Sequence, residues 1–173
     1  MKGSGWLVAC VACVLVAAAT ASAATAKLPA PMTLDGWGGV VPGMTSRQAA
    51  ARWGIPLSVA ATSAPCSASA IRTAALHGYA LFQRGKLGAV FVDFGAFTPS
   101  GIRIGTPEAT LRRAFPGRLR VEPHKYVRGG HYFFLTRRSS PHWQLRFDTN
   151  AKGRITQIGF GTHAAVSLVE GCS

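Results

Sequence analysis

The sequence predicts a single α+β domain made of two degenerate repeats, each a short helix followed by antiparallel sheet. Three observations lead there. The stretches "VVPGMTSRQAAARWGIP" (Val40–Pro56) and "RIGTPEATLRRAFPG" (Arg103–Gly117) align with Gly43 over Gly105. Each is followed by strand-like segments that close on a glycine turn, Gly85-Lys86-Leu87 in one and Gly153-Arg154-Ile155 in the other. Between and after them lie Cys66 and Cys172, which read as one bridge from the middle of the chain to its end.

The chain opens with Lys2, an apolar run from Trp6 to Ala21 and two small-residue exits, Ala21-Ser22-Ala23 and Ala24-Thr25-Ala26. That order predicts a secretory signal peptide over residues 1–26. The rival reading is an uncleaved anchor, since the run approaches the roughly 20 residues that span a bilayer. Removal leaves no membrane span. Cys10 and Cys13 leave with the leader, and two cysteines in an exported chain most economically form a disulfide, Cys66–Cys172. Residues 27–39 read as a Pro/Gly-rich lead-in to a domain over 40–173, with repeat one at about 40–95 and repeat two at about 100–163.

In the first copy, Thr45 with Gln48 three residues on is a capping-box signature. The helix runs to about Trp53 and stops at Gly54. In the second, Thr106 is placed to cap, Pro107 suits the first helical position and Glu108 sits at the positive end of the helix dipole. Ala49 with Trp53, and Leu111 with Phe115, each share one helix face. Ala60–Ala70, rich in Ala and Ser, reads as a flexible connection anchored by Cys66. Tyr79–Gln83 and Leu87–Asp93 form a hairpin about Arg84-Gly85. Arg118–Glu122 and His131–Thr136 are added strands of the second copy. Trp143–Asp148 alternates strictly, with Trp, Leu and Phe on one face and Gln, Arg and Asp on the other, as in a half-buried strand. A turn over 149–153 leads into the strand Arg154–Phe160.

These residues resemble a known repeat unit. Gly43-Met44-Thr45 through Gly54 fits the G-M-T…G phrase of the beta-lactamase-inhibitor-protein and small outer-membrane assembly lipoprotein type. The second copy departs from it, with Gly105-Thr106-Pro107 in place of Gly-Met-Thr and Pro116 where the closing glycine falls. The chain is also similar to small exported proteins of GC-rich Gram-positive bacteria ending in "VEGCS", here Val169–Ser173. The resemblance implies short helices on one face of an antiparallel sheet whose other face is available; in the inhibitors, that face and its loops grip another protein. No inhibitory residue maps onto this chain, and the inhibitors' disulfide within each repeat is not reproduced.

Charge narrows the partners. The chain has 19 Lys and Arg against 6 Asp and Glu, a formal net charge of +13. Such a balance points to an acidic partner, a phosphate-rich wall polymer or an anionic membrane face, the rival reading being that Arg-over-Lys composition reflects a GC-rich genome. Export and the scattering of the cations count against nucleic acid. Arg118, Arg120 and Arg146, with Arg84 and Lys86, read as an outward basic face. The richest polar stretch is Pro123–Tyr132, where His124, Lys125, Tyr126, Arg128 and His131 form a candidate binding loop: tyrosine offers amphipathic contact area and the cations fix an anion. Its competing reading puts Tyr132 and Phe134 in the core and His124 in a turn.

No catalytic residues, cofactor or metal are expected. The histidines 77, 124, 131, 142 and 163 lack a ligand spacing such as H-x-x-x-H. The acids Asp35, Asp93, Glu108, Glu122, Asp148 and Glu170 show no privileged pair spacing. No serine sits in G-x-S-x-G. The reading is a secreted or wall-associated noncatalytic interaction module, with a polyanion binder second and an envelope enzyme third.

Overall fold

The capping signals at Thr45 and Gln48 act as their spacing predicts. In the computed structural model, which describes residues 28–58, 65–137 and 140–172, helix α1 spans Ser46–Trp53. Thr45 Oγ1 accepts the Gln48 N–H at 3.2 Å, and Gln48 Oε1 accepts the Thr45 N–H at 2.8 Å. Gly54 ends the helix in the left-handed conformation, φ 68°, where glycine carries no Cβ penalty. The expected leader, and the connection as far as Ala64, lie outside the described residues. Helix α2 (Glu108–Ala114) starts differently: Pro107 occupies the cap, while Thr106 uses its hydroxyl to accept the Arg103 N–H.

The strands are β1 (Met32–Thr33), β2 (Gly36–Trp37), β3 (Cys66–Arg72), β4 (His77–Gln83), β5 (Lys86–Phe94), β6 (Leu119–Pro123), β7 (His131–Arg137), β8 (Ser140–Thr149) and β9 (Ile155–Thr162), followed by the four-residue helix α3 (His163–Val166). β1 and β2 pair with each other. The other seven form one antiparallel sheet in the order β3-β4-β5-β9-β8-β7-β6. The β4–β5 turn has φ 49° at Arg84 and 73° at Gly85, the two positive values a tight hairpin loop demands.

The expectation of two helix-plus-sheet repeats is therefore corrected: the described residues form one large antiparallel sheet with three short helices and the small β1–β2 pair. β5 pairs β9 from Ala89↔Gly161 to Val92↔Ile158, so the strands close into one sheet over a shared core. The doubled phrase has a local cause. Gly43 N–H and Met44 C=O bond to the backbone of Leu87, and Gly105 N–H and Thr106 C=O to that of Ile155. Each glycine turn hooks a helix start onto the first inward residue of a strand. That requirement constrains a dozen residues and does not divide the molecule.

One face of the sheet carries the main core. Ile71, Phe82, Val90, Phe133, Leu145, Phe147 and Phe160 pack there beneath Ala49 and Trp53 of α1 and Leu111 of α2. The 27–39 lead-in adds to it: Met32 and Trp37 are buried, and Trp37 meets Trp53 edge-on at 5.2 Å between ring centres. The Trp53 indole N–H donates to Trp37 C=O at 2.8 Å. The described part of the expected Ala60–Ala70 connection is likewise corrected: it belongs to the edge strand Cys66–Arg72, with Ser67, Ser69 and Ile71 facing inward.

The opposite face was expected to be free. Instead α3 and the residues after it lie across its middle, packing Ala165 and Val166 on Leu81, Ala89, Phe91, Tyr132 and Phe134. The Cys66–Cys172 disulfide, with Cα atoms 5.4 Å apart, ties down the end of this tail.

Candidate functional site

The site grows from the alternation of β8. Residues two apart in a strand share a face, so Arg146 and Asp148 stand side by side. Arg146 Nε and Nη2 donate to Asp148 Oδ1 and Oδ2, each at 2.6 Å. The expected outward basic face is corrected at Arg146 alone: Gln144, Arg146 and Asp148 are 0, 3 and 6 % exposed, while Arg84, Lys86, Arg118 and Arg120 are exposed. The alternation was read correctly; the tail then buried the polar side as well.

The tail covers these groups because Arg146 gives it something to bind. Nη1 donates to Val166 C=O at 2.7 Å, a carbonyl of the last turn of α3, and to Leu168 C=O at 3.2 Å just beyond the helix. Gln144 Nε2 donates to His163 C=O at 3.3 Å. The guanidinium also lies 4.6 Å from the Tyr132 ring centre and 5.0 Å from that of Phe91. Gly159 makes the room: a Cβ there would fall 2.7 Å from the Phe91 ring. Burial works against the charge of Arg146, but the hydrogen bonds and charge of Asp148 outweigh it and hold the group above its ordinary range. Burial also raises the phenols of Tyr79 and Tyr132.

Beside this pair, the 123–132 loop is held in one shape by its own bonds. His124 Nδ1 accepts the N–H groups of Tyr126 and Val127, both at 3.1 Å, and its ring stacks on Tyr132 at 4.3 Å. His124 N–H donates to Gly130 C=O and Gly130 N–H to Val127 C=O, each at 2.9 Å. A Cβ on Gly130 would lie 2.4 Å from Thr149 O, so this close crossing needs glycine. Lys125 and Tyr126 both reach Glu170 of the tail, and Lys125 lies 5.2 Å from the Tyr126 ring centre. Tyr126 remains 59 % exposed.

Of the five loop residues singled out from sequence, His124, Lys125 and Tyr126 come together on the tail side, and Arg128 is exposed on the same loop. His131 shares a sheet face with Phe133, so it turns to the opposite side. There its Nδ1 lies 2.9 Å from Glu108 Oε1, which also accepts the Thr149 hydroxyl at 2.6 Å. This knot ties the start of α2 to β7 and β8. Sequence reasoning missed Glu170, Tyr132 and the Arg146–Asp148 pair as members of the site. The i, i+2 spacing of Arg146 and Asp148 was the available signal.

Burial lowers the His124 pKa from the ordinary 6.5, with Asp148 opposing and Arg146 reinforcing. The folded chain thus holds this proton less tightly than the unfolded one. The associated stability is complete above about pH 6.5 and is lost as pH falls through the lowered folded-state value. Protonation of Nδ1 also removes the acceptor for two amides. Hydrogen-exchange protection at Tyr126 and Val127 is expected to fall in step with the His124 titration followed by NMR; unchanged protection would show that the imidazole does not hold the loop.

Fold and site together define a disulfide-latched antiparallel-sheet protein, with a pre-shaped loop beside a buried ion pair. No protein-family model and no curated protein matches the chain. Among solved structures it is similar to a cysteine-rich secretory protein from Staphylococcus aureus subsp. aureus Mu50, with a TM-score of 0.47 and 12 % identity over 75 % of this chain and 47 % of that one. It is also similar to an extracellular protein containing an SCP domain from Bacillus anthracis str. Ames, with a TM-score of 0.47 and 10 % identity over 70 % and 44 %. The chain spans less than half the length of either. The resemblance to beta-lactamase inhibitors and outer-membrane assembly lipoproteins is corrected on the fold itself: the described strands β3–β9 form one continuous antiparallel sheet and not two helix-plus-sheet repeats. The Gly43–Gly54 phrase that carried the resemblance encodes a local turn and helix start. Among the described residues, no helix is long and apolar enough to cross a membrane, and no three His, Cys, Asp or Glu side chains gather as for a metal.

Proposed function

We propose that the chain is a noncatalytic protein-interaction module working outside the cytoplasm, at the cell envelope, with the 124–128 loop as its contact surface. One observation carries this reading: the loop presents a largely exposed tyrosine and two cations on a backbone already fixed by His124. A pre-shaped loop avoids ordering costs on binding, and tyrosine and arginine are the side chains on which binding energy concentrates. The disulfide fits an oxidising compartment. Asp148, whose charge acts on His124, has both oxygens engaged by Arg146, which favours a structural role over acid–base chemistry there.

The test is capture from native envelope with the oxidised protein, washed at about 0.15 M and then about 1 M salt. A stoichiometric protein that survives the second wash, and whose capture falls at least about tenfold with Tyr126→Ala or Arg128→Glu, supports the module. Capture that ignores both substitutions removes the loop from the proposal. The second reading, retention on an anionic wall polymer, rests on the surface charge. Among the described cations, Arg120, Lys125, Arg137 and Arg146 form ion pairs with carboxylates, while Arg47, Arg52, Arg113 and Arg128 are exposed without such a bridge. Recovery of polymer alone, lost at high salt, favours that reading.

A further inference from the structure

On the helix side of the sheet, two hollows of about 350 and 300 Å³ share three side chains, Leu34, Asp35 and Arg137. The apolar lining of the larger one comes from the half-buried Leu34 and Phe115, together with the edges of the nearly buried Leu135 and Leu145. Its rim is charged and unbalanced, with the guanidiniums of Arg118 and Arg137 against the single carboxylate of Asp35. Trp143 and His142 line the smaller hollow.

Arg137 Nη2 donates to both carboxylate oxygens of Asp35 at 2.6 Å, joining the β1–β2 turn to the end of β7, 102 residues away. The pair lines the hollow and is open to water, with the Arg137 and Asp35 side chains 45 % and 71 % exposed. An exposed ion pair of this kind is held weakly and exchanges readily for another of the same sign. Asp35 marks where a carboxylate sits when it meets Arg137 above an apolar surface.

We propose that these hollows form a binding site for a small carboxylic acid with an apolar body. The acid's carboxylate replaces Asp35 on Arg137, and its hydrocarbon lies along Phe115, Leu135 and Leu145. Charge selects the class: an added carboxylate relieves the excess of guanidinium at the rim, whereas an added ammonium increases it. The volumes are at the low end for small-molecule sites, which limits the ligand to one chain or ring. The site lies on the opposite face from the 124–128 loop and does not depend on it.

The probe is monomeric decanoate, titrated into the oxidised full chain and followed by Trp fluorescence and calorimetry, with decanol and decylamine as comparisons. Decanoate is expected to saturate at one site, and both comparisons to bind about three- to fivefold more weakly, the upper worth of an exposed ion pair. Arg137→Gln is expected to weaken decanoate by a similar factor. Asp35→Asn removes the internal competitor and is expected to tighten decanoate by about threefold or more; a merely structural bridge predicts no gain. Thermal melts establish that each variant is folded, and Asp35→Asn keeps the test decisive if Arg137→Gln is not. The proposal is overturned by decanoate that fails to saturate, by decylamine binding equally well, or by Asp35→Asn leaving affinity unchanged or lower.

Discussion

Replacing Arg146 by methionine is expected to cost about 3–5 kcal/mol of folding stability, read as a drop in the urea midpoint. The size comes from what the substitution leaves behind. Asp148 is 6 % exposed and takes both of its side-chain bonds from Arg146, so its carboxylate loses them together. The carbonyls of Val166 and Leu168 lose their donor in the same step. Methionine fills much of the volume between Phe91 and Tyr132, so the penalty is that of stranded polar groups rather than a cavity. The double substitution Arg146→Met with Asp148→Leu separates the two effects. It removes the carboxylate as well, and is expected to recover most of the loss, as apolar replacements of buried ion pairs commonly do. Limited proteolysis should cut the single variant first between residues 163 and 172. A single-variant loss below about 1 kcal/mol would mean that apolar packing of Ala165 and Val166 holds the tail, and that the guanidinium merely occupies the gap.

How far this arrangement was legible in the sequence depends on the element. Thr45 with Gln48, the Arg84-Gly85 turn and the Trp143–Asp148 alternation are local signals, and the helix, hairpin and strand form where they point. The Cys66–Cys172 pairing followed from these being the two of the four cysteines outside the expected leader. β3 was hidden because Cys66-Ser67-Ala68-Ser69-Ala70 lacks the β-branched and aromatic residues that mark strands; it is held in register by β4 and by the disulfide. The covered face was hidden for a different reason. A Gln-Arg-Asp alternation looks solvent-facing to any local criterion, and only a distant segment can bury it. The tail that does so carries its polar partners as backbone carbonyls, which leave no trace in side-chain chemistry. His131 was grouped with His124 by proximity along the chain, but strand parity sends His131 and Tyr132 to opposite faces, so His131 joins Glu108 while Tyr132 joins His124. Glu170 belongs to the site only because the bridge two residues later returns the chain end to the sheet.

Opening that bridge is the second large effect. Cys66→Ser or Cys172→Ser is expected to cost about 2–5 kcal/mol, the chain-entropy figure for a loop of this size being about 4.7; the cysteines are 106 residues apart. Wild-type protein unfolded in the presence of reductant should show the same loss. The informative quantity is its coupling to Arg146. The disulfide and the guanidinium hold the same short tail from two points, so once either is lost the tail leaves more easily and the second removal costs less. A double-mutant cycle of Cys172→Ser with Arg146→Met is expected to fall short of additivity by about 1 kcal/mol or more. Additive losses would mean that the two anchors act on separately stable segments. The cycle also bears on binding, because Glu170 lies between the anchors and is held against Lys125 and Tyr126 by both. A coupled tail that lifts as a unit takes Glu170 with it, leaving Lys125 without its carboxylate and the Tyr126 ring without its hydroxyl partner. Reduction should then change partner capture in the same direction and to a similar extent as Glu170→Gln. If Glu170→Gln changes capture and reduction does not, the loop keeps its shape without the latch and the disulfide serves stability alone.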